Sequence, residues 1–493
     1  MGIVHDGRLF LAILVPLIGA VVIMATGKRP NVREASSFIA AVILFGIVAS
    51  LVSTVGSGKI LHFTLFELLP GVSVSLRADS LSMMFALAAS FLWILTVFYA
   101  AGYMRGLNEH AQTRFSTCFA LALFGAIGCA FSDNLFTLYL FYEIVSVTTY
   151  PLVAHHQDEE GYEGAKKYMI YLTTTAKGLI FPAMVLLYVL SGTLDFSHNI
   201  QSGILPTDIH DNIVITLYVL CLLGFAKNGI MPFHHWLPGA MVAPTPVSAL
   251  LHAVAVVKVG VFSTVRVMLY IFGIQRMHDL NLGLLTAYFV SFTIIVASVI
   301  ALSKDNLKLR LAYSTVSQLS YVILGVALLT PKGIEGSLFH IVNHAFSKIT
   351  LFFCAGAIYV ATHKKNISEM SGLGRTMPFT FGAFAIAALS MIGVPPVGGF
   401  ISKWYLLLGA LDAQSIVIIG ILLTSTLLNA AYFVPVIYQA FFGKVSESDI
   451  HHNFHEAHPA MVIPLFTTAV ISVLIGFYPN LFMGFAKALF PVL

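Results

Sequence analysis

The chain has 493 residues, of which 58% are hydrophobic and only 10% charged, against roughly 25% charged in a soluble domain. A mean hydropathy of +0.89 with a formal net charge of +4 excludes a soluble enzyme and a nucleic-acid binder, and leaves an integral membrane protein. Apolar stretches of about 20 residues, enough to cross ~30 Å of hydrocarbon, recur fourteen times. They run over 8 to 27, 36 to 55, 79 to 103, 115 to 131, 133 to 153, 164 to 191, 211 to 231, 245 to 272, 281 to 303, 309 to 330, 335 to 361, 378 to 409, 414 to 442 and 458 to 480. The fold class is therefore all-α and polytopic, a single transmembrane domain over 1–493. No soluble domain fits the gaps, the longest of which is about 23 residues before the third span. The first span follows MGIVHDGR without a basic n-region or a small-residue cleavage site, so a retained helix rather than a removable signal peptide is expected.

With the N-terminus placed outside, the cytoplasmic loops carry fourteen Lys and Arg residues and the opposite side six. Positively charged loops stay inside, so both termini are expected outside a cytoplasmic membrane. Cys118, Cys129, Cys221 and Cys354 lie in apolar runs without CxxC spacing and read as packing residues. No cofactor and no metal site is expected. The stretch ESDIHHNFHEAHP puts His451, His455 and His458 on one helical face, but reads as a solvated, titratable loop.

Twenty of the 26 basic residues are thereby placed in loops; Lys177, Lys227, Lys258, Arg266, Lys348 and Lys403 remain inside spans. Arg266 is close enough to a helix end to snorkel as an interfacial anchor. The five lysines, at ~2.5 to 3.5 kcal/mol each, would together oppose insertion by roughly 12 to 17 kcal/mol if charged and exposed to lipid. They must face a polar interior, pair, or deprotonate. The one mid-span carboxylate is Glu143, in LFTLYLFYEIVSVTTYPLV. One carboxylate cannot neutralise five ammonium groups, so desolvation and mutual repulsion bring charged and neutral lysine close in free energy. A row of such groups gains and loses protons easily, which is what a relay needs. SLFHIVNHAFSKITLFF sets His340, His344 and Lys348 on one stripe of a helix, and His252 precedes Lys258 by six residues.

KNGIMPFHHW (Lys227 to Trp236) and MIGVPPVGGFISKW (Met391 to Trp404) each put Gly, a β-branched residue and Pro inside an apolar span beside a lysine. Spans seven and twelve should both be broken there. TTTAKGL in span six and HAFSKIT in span eleven repeat the five-span offset. An odd offset reverses helix direction, giving an inverted repeat of spans four to eight and nine to thirteen. The expected divisions are 1–110 for peripheral spans one to three, 111–275 and 276–445 for the two halves, and 446–493 for span fourteen. Broken helices in inverted repeats mark ion or substrate sites near the midplane.

GFAKNGIMPFHHWLPGAMVAPTPVSALLHAVAVVKVGVF resembles the signature of the antiporter-like, proton-conducting subunits shared by Mrp sodium/proton antiporters, respiratory complex I and group 4 membrane-bound hydrogenases. The resemblance covers nearly the whole chain, and DNLKLRLAYSTVSQ (Asp305 to Gln318) resembles the family's segment between helices nine and ten. It implies a control pair, Glu143 on helix five and Lys227 on broken helix seven, and further relay groups at Lys258, His340, His344, Lys348 and Lys403. Lys403 on helix twelve looks more like the D-type member of the Mrp antiporters than like a complex I branch that carries glutamate there. The sequence stops after span fourteen, so the long lateral helix of the largest members is not expected. Lys177 departs from the pattern, which has a small residue at that point. The expected partners are other integral membrane subunits, lipid, protons and, as a candidate counter-ion, Na⁺. No redox motif is present, so any electron-transfer energy must arrive through a partner subunit. A self-sufficient secondary transporter of a small solute is the alternative.

Overall fold

A computed structural model describes residues 2–444 and 455–490, and of residues 251–254 the backbone alone. Ten of the expected spans are single helices long and apolar enough to cross a membrane, from Arg8–Ala25 to Pro459–Phe477. The other four are the seventh, eighth, tenth and twelfth, of which the sequence marks the seventh and twelfth as broken. The seventh stops at Gly224 rather than continuing to 231, and the chain passes through a 3₁₀ turn, Ala226–Asn228, before a short helix at Trp236–Gly239. The twelfth divides into Pro378–Ile392 and Gly398–Asp412. Both breaks fall at the Gly and Pro clusters, where missing donors and ring clashes end a helix. The eighth runs over 245–272 with two π-helical stretches, Ser248–Ala255 and Met268–Phe272. The tenth, Leu307–Ala327, is rich in hydroxyl and basic residues.

The eighth and eleventh spans form the centre. Every residue of Val256–Val267 is buried, and so is nearly every residue of Pro331–Thr362 up to Ile358. Peripheral helices such as Arg8–Ala25 and Ile416–Phe442 keep a wide apolar face exposed, as lipid or a neighbouring subunit requires.

Two features differ from the sequence expectation. The gap before the third span holds a hairpin, β2 (Ile60–Leu69) antiparallel to β3 (Val72–Ala78), with β1 (Ile3–His5) added in parallel to β2. A hydropathy count tuned to 20-residue helices passes over strands of this length. The hairpin holds the start of span five: Asn134 Oδ1 accepts from the Thr137 amide at 2.7 Å as an N-cap, while its Nδ2 donates to the Ser73 carbonyl at 2.8 Å. The second difference is Arg266, which does not snorkel. It is fully buried and its two terminal nitrogens donate to Asp79 at 2.5 and 3.0 Å. A carboxylate at the end of a neighbouring span supplies inside the protein what snorkelling would find at the interface.

Candidate functional site

Lys227 lies in the 3₁₀ turn of broken span seven and has no exposed surface. Its Nζ donates to the Tyr142 carbonyl at 2.8 Å and to Ser146 Oγ at 2.7 Å, and sits 3.1 Å from the centre of the Tyr142 ring. Glu143 is therefore not its direct partner: no ion pair of 4.0 Å or less joins them among the described residues. Lys227 and Lys177 are nevertheless the basic groups whose charges act on Glu143, and Glu143 Oε1 makes no hydrogen bond to the described residues. Span five thus presents a carboxylate, a hydroxyl and an aromatic face around one ammonium. The hydroxyl and the ring were not singled out by sequence, although Ser146 lies one turn from Glu143.

Lys258 is fully buried on span eight, and its Nζ has no hydrogen-bond partner among the described residues. It is close enough for its charge to act on Lys348 and on His340, both on span eleven. The backbone of His252 belongs to the π-helical start of span eight; its side chain lies outside the described residues, as does His451.

On span eleven His340, His344 and Lys348 are all buried, with the two imidazole centroids 6.0 Å apart. His340 Nδ1 lies 2.9 Å from Ser402 Oγ, the residue before Lys403. Lys348 Nζ donates to Ser314 Oγ at 2.7 Å and to the Leu311 carbonyl at 3.2 Å. From Ser314 a hydroxyl chain continues, Oγ to Tyr432 OH at 3.0 Å, and Tyr432 OH to Asn429 Oδ1. Asn429 Nδ2 then donates to the Met391 carbonyl at 3.4 Å. The next carbonyl, Ile392, freed where span twelve breaks, accepts from Lys403 Nζ at 2.9 Å. Gly393 makes this possible. Its φ is +92°, and a Cβ there would meet Lys403 Cδ at 2.7 Å.

Two sets of contacts therefore approach Lys403 from the span eleven stripe. His340 meets Ser402, the neighbour of Lys403 in sequence, and Lys348 connects through Ser314, Tyr432 and Asn429 to the Met391 carbonyl, one residue before the carbonyl that Lys403 bonds. Sequence reading found the basic groups and not the hydroxyls and amide between them. Ser314 lies within the quoted DNLKLRLAYSTVSQ segment, but nothing in a single sequence distinguishes it from the many other hydroxyls on spans.

Lys177 is placed apart from the buried row. It is exposed on a π-helical turn, Ala176–Ile180, at the middle of span six. Its place in the row rested only on its lying inside a span; the buried positions Ala165, Tyr168, Leu172 and Thr175 leave Lys177 on the opposite side of the helix.

Residues 132–429 match the family model described as NADH:quinone oxidoreductase/Mrp antiporter, transmembrane. Subunit N of an NADH-quinone oxidoreductase from Desulforudis audaxviator is 32% identical over 89% of this chain and 88% of its own length. A Na⁺/H⁺ antiporter subunit A1 from Staphylococcus haemolyticus is 32% identical over 96% of this chain, which spans 61% of that longer protein. Among solved structures, a chain of the Mrp complex from a Dietzia species superposes with a TM-score of 0.87 at 20% identity, covering 98% of this chain and 96% of that one. A chain of an archaeal membrane-bound sulfane sulfur reductase also gives 0.87, at 24% identity, with 98% and 97% covered.

Proposed function

The chain belongs to the NADH:quinone oxidoreductase/Mrp antiporter transmembrane family, and from that premise we propose that it translocates protons as an antiporter-like subunit of a multisubunit membrane complex. The observation that carries this reading is the succession of buried basic groups from Lys227 through Lys258 to the span eleven stripe, ending at the half-buried Lys403, with one carboxylate, Glu143, near its start. A basic group that is desolvated and lacks a carboxylate partner has no structural reason to be retained, because an apolar residue of the same size would cost less to bury.

In this reading Glu143 and Lys227 regulate entry to the row. Lys258 hands the proton to span eleven, between the halves 111–275 and 276–445. Lys403 is the terminal site. The hydroxyls of Ser402, Ser314 and Tyr432 and bridging water carry it between the basic groups. Lys177 faces a neighbouring subunit. Both termini lie outside the cytoplasmic membrane, as the fourteen to six distribution of basic loop residues favours. Na⁺ is the candidate exchanged ion, on the strength of the relatives' name. The likeness at Lys403 to the D-type member of the Mrp antiporters belongs to the same proposal.

Proton uptake in vesicles from cells expressing Lys403→Ala or Lys403→Arg tests the assignment, with assembly checked on native gels. Both variants should assemble and both should lose coupled uptake by at least ~10²-fold, because neither Ala nor Arg releases a proton at this site. Normal uptake with Arg would make Lys403 a fixed charge and end the row at Lys348.

A further inference from the structure

On the side where spans three and four are joined, Glu109 and His110 lie in a loop, and His155 and His156 follow the end of span five. They are more than forty residues apart in sequence and meet only in the fold. Glu109 Oε2 lies 3.6 Å from His155 Nε2, 3.7 Å from His156 Nδ1 and 3.9 Å from His110 Nδ1. The ligand atoms of Glu109, His110 and His155 all fall within 4.8 Å of one another.

His155 is the informative member. It has no exposed surface, and neither of its ring nitrogens has a hydrogen-bond partner among the described residues. A buried imidazole ordinarily satisfies at least one nitrogen. Here the ring is packed between Phe115, 5.7 Å away edge-on, and His110, at 4.8 Å, with Nε2 directed at the carboxylate. The packing fixes its orientation, as a ligand's ring must be fixed.

We propose that Glu109, His110 and His155 form a site for a divalent transition-metal ion of the Zn²⁺ class, with the fourth position open to water. Zn²⁺ at about 2.0–2.1 Å from nitrogen and oxygen ligands in a tetrahedron separates them by roughly 3.3–3.4 Å. The distances from the carboxylate to His155 and His110, 3.6 and 3.9 Å, lie near that edge, and all three ligand atoms lie within 4.8 Å of one another, so side-chain rotations close the site. Imidazole nitrogen with a single carboxylate suits Zn²⁺ and its neighbours in the series, and not Mg²⁺ or Ca²⁺, which require mostly oxygen. Glu109 and His156 also line a cavity of about 600 Å³, which gives the ion a way in. The cavity's other charged groups, Asp158, Glu160 and Glu163 against Lys167, Lys308, Lys364 and Lys365, leave it with no strong field of either sign, so the selectivity rests on the ligand set itself. Bound there, the ion ties the span three to four loop to the end of span five, the helix that carries Glu143.

The test uses the full chain in its purified membrane complex, stripped with chelator and titrated with Zn²⁺, and with Co²⁺ as a spectroscopic substitute. Comparison is with Glu109→Gln, His110→Ala and the loop control His455→Gln/His458→Gln. The expected result is one equivalent bound by the unaltered chain, a visible Co²⁺ absorption of tetrahedral type, and affinity at least ~10-fold weaker in Glu109→Gln and His110→Ala. The loop control should match the unaltered chain. Because His110 is half exposed and Glu109 sits at a loop, these variants keep the fold, which thermal unfolding without metal checks. Affinity unchanged in both variants, no saturable binding, or loss in the loop control alone would each overturn the site.

Discussion

Lys258 separates a structural from a functional role more cleanly than any other residue of the row. Its ammonium makes no hydrogen bond among the described residues, whereas Lys227, Lys348 and Lys403 each have a carbonyl and a hydroxyl. Lys258→Met removes the cost of burying an amine and keeps the volume, so the complex should be as stable as before or more stable by up to about 1–4 kcal/mol. Proton uptake should fall at least ~10²-fold if Lys258 passes the proton between halves. Unfolding midpoints of the detergent-solubilised complex, read beside vesicle uptake, decide the matter. Retained uptake would remove Lys258 from the path.

At the scale of elements, the broken spans are held by close backbone contact. Gly260 on span eight packs directly on the turn that carries Lys227, and a Cβ there would collide with the backbone of Lys227 and Asn228. Trp236 Nε1 closes the same turn by donating to the Ala226 carbonyl at 2.9 Å. Gly260→Ala should therefore cost about 1–3 kcal/mol and displace Lys227 from Ser146. The prediction is checked by the unfolding midpoint and by uptake, and an unperturbed variant would mean that the turn can yield. The hairpin offers a second test, since Asp133, at the start of span five, lies 2.9 Å from His62 Nε2 on β2. The hydrogen bond to Asp133 outweighs partial burial and raises the His62 pKa above its ordinary value. A group whose folded pKa is raised stabilises fully below its unfolded pKa and loses that contribution as pH rises through the folded one. Protection of hairpin amides in hydrogen exchange should fall as pH rises through that range, after correction for intrinsic rates. In His62→Gln this step should vanish; an identical pH profile would assign it elsewhere.

At the scale of the whole molecule, Lys177 is a charge that the chain does not accommodate alone. Lys177 is exposed at mid-span, where a lone ammonium against hydrocarbon costs ~2.5–3.5 kcal/mol. Glu143 acts on it electrostatically from the next helix but makes no ion pair with it. The relatives are subunits of larger assemblies, and a neighbouring helix over this face would remove the cost. Lys177→Cys, labelled with a photo-cross-linker in the intact complex, should therefore join to a specific neighbouring subunit. Adducts to lipid alone would show that this face borders the bilayer and that Lys177 reaches water by another route.

Class, spans and family were legible in the sequence because the bilayer imposes a local rule: each crossing helix must be apolar over about 20 residues, and exceptions such as GIMPFHHWLPG stand out. The buried lysines were legible for the same reason, since a charge inside a span is conspicuous in one dimension. What those charges touch was not. Ser146 rather than Glu143 on Lys227, Asp79 on Arg266, and the Ser314, Tyr432, Asn429 chain beyond Lys348 bring together residues from different spans. Hydroxyls and amides also occur on many spans without consequence. Lys177 turned outward because lying inside a span says nothing about which face a residue takes, and the buried face of its helix runs through Ala165, Tyr168, Leu172 and Thr175. The hairpin escaped because strands of ten and seven residues do not register in a count of membrane helices. The chain's composition determines which groups are costly to bury, a property of each residue and its solvent. Only tertiary packing decides which partners share that cost, because partnership depends on which helix faces meet.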